Sequence, residues 1–70
     1  MKYYLVTMQT RYKPSGEDMV ETLPCQGDPA EFFLELCTHS NREGSKYEIP
    51  LLLNSLEVSL DQFNAFCDIY

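Results

Sequence analysis

Seventy residues make room for one domain, 1–70, and a chain this short buries only about 60% of its unfolded surface, so nearly every large side chain must serve the core. A hydrophobic fraction of 44% beside 23% charge excludes a disordered chain. A net charge of −6 excludes direct nucleic-acid binding as the natural expectation, and no run approaches the ~20 apolar residues of a membrane span.

Lys2–Tyr12 is rich in β-branched and aromatic residues. Tyr4, Val6 and Met8 would share one face, and Tyr3, Leu5 and Thr7 the other, which predicts a first strand. No unbroken apolar stretch follows Met1, so a signal peptide is not expected. Three cysteines without repeated spacing fit a reduced, cytoplasmic protein. Lys13-Pro14-Ser15-Gly16 is a turn, because Pro presets φ and Gly permits positive φ. Asp18–Leu23 then forms a hairpin with the first strand. Its acids Asp18 and Glu21 and the closing Pro24 are edge-strand features.

Asp28-Pro29-Ala30-Glu31 opens the first helix: Asp caps, Pro takes N1, and Glu at N3 completes a D-x-x-E capping box. Phe32, Leu36, Phe33, Cys37, Ala30 and Leu34 cover an arc of roughly 200°, leaving Glu31, Glu35 and Thr38 outside. His39, Ser40 and Asn41 are weak helix formers, and Gly44 ends whatever remains. Ser45–Ile49 leads into Leu51–Val58. Leu51, Leu52 and Leu53 make both faces of that strand apolar, the character of a strand inside a sheet. Pro50 suits its first position. Ser59 and Gln62 form an S-x-x-Q capping box, with Val58 and Phe63 placed for a hydrophobic staple. Phe63, Phe66, Cys67 and Tyr70 fall on one stripe of a second helix.

The expected fold is a small α+β domain, β-β-α-β-α. Pairing of the third strand with the first gives a three-stranded antiparallel sheet of order 2-1-3. Both helices are expected on one face, since so few residues cannot fill two cores, with Tyr3 or Leu5 near the surface of the other.

Catalytic and metal chemistry find little footing. Cys25, Cys37, His39 and Cys67 lack the close ligand pair of a structural zinc site. Cys37 and His39 would point ~200° apart on a helix. His39 reads as a surface residue whose positive form suits a helix C-terminus. Glu31 and Glu35 lack the burial that separates the pKa values of an acid/base pair. No enzyme activity, cofactor or metal is expected.

Charge placement carries the functional reading. Glu17, Asp18, Glu21, Asp28, Glu31 and Glu35 occupy a stretch with no Lys or Arg, and Glu48, Glu57, Asp61 and Asp68 follow the last base. Lys2, Arg11, Lys13, Arg42 and Lys46 lie in the first strand, its turn and the 42–46 loop. Such a surface attracts a basic protein partner. Glu31 and Glu35 would stand ~5–6 Å apart on one helix face, the general scale on which phosphates recur along a DNA strand. The six acids from Glu17 to Glu35 are the candidate partner-binding residues. The alternative is a structural or accessory module, monomer or homodimer, whose acidity serves solubility.

The compact acidic chain, with its opening hairpin, its GDPAEFFLELC helix and its closing NSLEVSLDQFNAF strand and helix, resembles the small anti-CRISPR proteins encoded by phages and mobile elements. The resemblance implies a non-catalytic inhibitor that occupies the basic DNA-recognition surface of a CRISPR effector complex, in some cases as a DNA mimic. The bases clustered in the first strand and its loops depart from a uniformly DNA-like surface.

Overall fold

A computed structural model describes residues 1–69. The elements run β1 (Tyr3–Tyr12), β2 (Glu17–Gln26), α1 (Pro29–Ser40), β3 (Leu51–Val58) and α2 (Leu60–Ile69), a small α+β domain of the expected element order. Tyr70, which the sequence places on the stripe of the second helix, lies outside the described residues.

β1 pairs antiparallel with β2 on one side and β3 on the other, so the order is β2-β1-β3. The hairpin turn closes over Lys13–Gly16. Gly16 takes φ 72° and its N–H donates to the Tyr12 carbonyl at 2.8 Å, which only a residue free of a Cβ does without strain. β2 runs through Pro24 to Gln26 instead of stopping at Leu23. An edge strand has one unpaired side, where a missing N–H breaks no ladder bond.

Opposed residues in the β1–β2 ladder share a face. Tyr4↔Cys25, Val6↔Leu23 and Met8↔Glu21 lie on one side of the sheet, and Leu5↔Pro24, Thr7↔Thr22 and Gln9↔Val20 on the other. On the first side Val6, Met8 and Cys25 are the buried core, and Tyr4, Leu23, Phe32, Phe33 and Leu36 pack around them. α1 therefore covers this face. On the second side Phe63 meets the ring of Tyr3, and Phe66 and Cys67 line a groove with Val20, Thr22 and Pro24. α2 covers that face.

The helices thus lie on opposite faces, which corrects the expectation that both share one. Two full cores are not needed: neither helix buries any residue completely. β1 is sandwiched between two thin, half-buried layers, and Tyr3 and Leu5 are half-buried under the second of them.

β3 lies at the edge, as the expected order 2-1-3 requires, but the interior burial that its apolar residues suggested is not found: Leu51, Leu52, Leu53 and Leu56 remain 41–61% exposed. The interior place belongs to β1, which has a helix over each face. The β1–β3 register shifts between Thr7 and Met8, so Leu53 is an extra residue in β3. Upstream of β3, Tyr12 bridges Tyr47, with ring centroids 5.4 Å apart, and Glu48 N–H donates to the Arg11 carbonyl at 2.9 Å.

Both helix starts form where the residues demand. Asp28 Oδ1 accepts the Ala30 N–H at 2.9 Å, while the reciprocal bond from Glu31 is not made among the described residues. At α2 both halves of the box form: Gln62 N–H donates to Ser59 Oγ at 3.1 Å, and Ser59 N–H donates to Gln62 Oε1 at 2.9 Å.

Candidate protein-docking surface

The packed side of α1 is narrower than the predicted apolar arc. Phe32, Phe33 and Leu36 face the sheet, but Ala30 and Leu34 are exposed, Leu34 by 62%. These contacts orient the helix. They turn Asp28, Glu31 and Glu35 outward, where with Ala30, Leu34, Thr38 and His39 they line one shallow, open surface. The helix rises ~1.5 Å per residue, so the three acids are spread over roughly 10 Å. Leu34 lies among them. Glu31 and Asp28 also sit where the positive end of the helix dipole favours negative charge.

The other three predicted acids do not join this row. Glu17 and Asp18 lie at the hairpin end of β2, opposite Tyr12 and Arg11. Asp18 is neutralised: Arg11 Nε donates to its Oδ1 at 3.0 Å. That hydrogen bond is the main reason the Asp18 carboxyl is held below its usual range and the Arg11 guanidinium is raised, with Glu48 adding to the latter. Glu21 is on the α1 side of the sheet but borders a separate depression beside Met8, Leu36 and Tyr47. The second ion pair among the described residues is Lys2–Glu57 at 3.6 Å. Both of its groups are mostly exposed, so the pair contributes little. Asp28, Glu31 and Glu35 make no ion pair among the described residues, and the surface they line includes no Lys or Arg.

The cysteines divide across the sheet. Cys25 is buried on the α1 face, Cys37 is half-buried on α1, and Cys67 is exposed on α2. Burial pushes the Cys25 thiol up, with a smaller contribution from the Asp28 charge. Among the described residues no three His, Cys, Asp or Glu side chains converge as a metal site. No helix among them is long and apolar enough to cross a membrane.

The β3 edge is the feature that sequence reading missed as a surface. Leu51–Leu53 signal burial by composition, but β3 lies at the rim of the sheet, paired along one side alone, and they stay exposed. Comparison with known proteins finds no family model, no curated protein and no solved structure that matches this chain.

Proposed function

We propose that this chain is a non-catalytic binding protein that docks the open side of α1 onto a cationic surface of a protein partner. The observation that supports it is the row Asp28, Glu31 and Glu35, directed outward by the packing of Phe32, Phe33 and Leu36, on a surface lined by no Lys or Arg. Charge of one sign on a low-dielectric wall attracts the opposite sign and speeds encounter. Leu34 supplies an apolar contact in the middle of the row, which a purely solubilising coat does not need.

The resemblance to anti-CRISPR proteins gives the partner its class: the DNA-binding surface of a CRISPR effector complex, where carboxylates take the places of phosphates. The docking face is smaller than the six-acid set suggested by the sequence. Glu31 and Glu35 are its centre, Asp28 flanks them, and Asp18 is committed to Arg11.

Immobilised protein exposed to lysate of the native host tests this reading. The expected result is retention of a basic, DNA-binding protein that is released by added duplex DNA or by raised salt. The Glu31→Lys/Glu35→Lys variant, folded by circular dichroism, should not retain it. Equal retention by both proteins would overturn the proposal.

A further inference from the structure

The two edges of the sheet are built differently. β2 carries Glu17, Asp18, Glu21 and Pro24, the charges and proline that discourage a new strand from pairing. Beyond the bulge at Leu53, β3 offers a regular edge from Asn54 to Val58 with a single charge, Glu57, which faces Lys2. Around it the surface is apolar: Leu51, Leu52, Leu53 and Leu56 together leave about two whole leucines in water, and Ile49 is 57% exposed beside them.

We infer that the free edge of β3 pairs antiparallel with β3 of a second copy of this chain, joining two three-stranded sheets into one. Three observations select a second copy. An antiparallel strand edge is complementary to itself under a two-fold axis perpendicular to the sheet, which keeps α1 of both copies on one face and α2 on the other. Pairing centred on Ser55 opposes Leu56 to Asn54 of the second copy on one face and sends the two Glu57 carboxylates toward opposite ends. The acids of β2 are carried on the strand at the far edge of each sheet, so two molecules of net charge −6 meet along an edge of low charge.

The exposed area fits as well. The chain exposes 5054 Å², where a compact monomer of its 8.1 kDa is expected to expose roughly 4500 Å². A surplus of about 550 Å² per copy corresponds to an interface of about 1,100 Å², just above the ~1,000 Å² that a specific interface needs.

The test is sedimentation equilibrium from about 1 µM to 1 mM, the range in which an interface of this size is populated. The mass is expected to rise from 8.1 kDa toward twice that value. Raised salt should strengthen the dimer by screening its net charge, whereas it weakens docking through α1, so the two readings fail separately. Leu53→Lys and Leu56→Lys alter exposed positions and should give folded monomers over the whole range. Hydrogen exchange of the unmodified chain adds a second readout: amides of Leu51–Val58 should slow as concentration rises. A chain that stays monomeric at all concentrations overturns the inference. So does a dimer that survives both lysine substitutions in folded protein, or one that forms without slowing the β3 amides.

Discussion

The rings of Tyr3 and Phe63 lie 5.0 Å apart, tilted by 49°, and tie α2 to the first residue of β1. The contact gives the sheet its second covered face, because Tyr3 points away from Tyr4 and the α1 layer. A tilted aromatic pair adds about 0.5–1.5 kcal/mol to the area it buries. Phe63→Ala is expected to cost roughly 2 kcal/mol, below the value for a fully buried Phe because the side chain is only half-buried. Urea unfolding measures it. Tyr3→Leu, which keeps apolar bulk, should cost less than half as much.

The Ser59–Gln62 box is the second hold on α2. Both of its hydrogen bonds form, and Ser59→Ala should cost about 1 kcal/mol. Asp28→Ala at α1 should cost a similar amount, through loss of the bond to the Ala30 N–H. Thermal unfolding followed by circular dichroism compares the two.

Arg11 sets the titration of Asp18. The native carboxyl is depressed chiefly by its hydrogen bond from Arg11. A depressed acid contributes stability that is fully present above its unfolded pKa, about 3.9, and is lost as pH falls through the lower native value. Carboxyl chemical shifts should show Asp18 titrating below the usual carboxylate range, and Arg11→Gln should bring it up. Because the pair is exposed, the accompanying change in stability should be small.

The thiols should separate by reactivity. With its pKa raised by burial, Cys25 stays protonated at neutral pH, while Cys67 is open to reagent. Alkylation of the native protein with iodoacetamide, read by mass spectrometry, should label Cys67 first, Cys37 next and Cys25 last. The raised thiol contributes stability that is fully present below its unfolded pKa of about 8.5 and is lost as pH rises through its native value.

The elements that were legible in the sequence are those written locally. Asp28-Pro29 starts α1, Ser59 and Gln62 start α2, and Pro50 and Val58 bracket β3, because caps and breakers act over three or four residues. The strand order was also legible, from the apolar character that pairs β3 with β1. The side taken by α2 was not. The stripe Phe63, Phe66 and Cys67 states that one side of the helix is covered, but not which sheet face covers it. Tyr3 decides that, 60 residues away in the chain.

A similar limit applies to burial. Leu51–Leu53 are as apolar as Val6 and Met8, yet burial depends on having neighbours on both sides, and only β1 has them. Of the candidate acids, Glu31 and Glu35 followed from helical periodicity alone. The loss of Asp18 to Arg11 depended on the hairpin register, which places the two directly opposite.

The central claim is that the carboxylates on the open side of α1 bind a cationic partner. The most direct measurement is the affinity for the captured partner as a function of salt, made with the native chain and with Glu31→Lys/Glu35→Lys. Affinity of the native chain is predicted to fall steeply between low and high salt, with binding lost in the folded variant at every salt concentration. Affinity that is indifferent to salt and equal in the two proteins would contradict it.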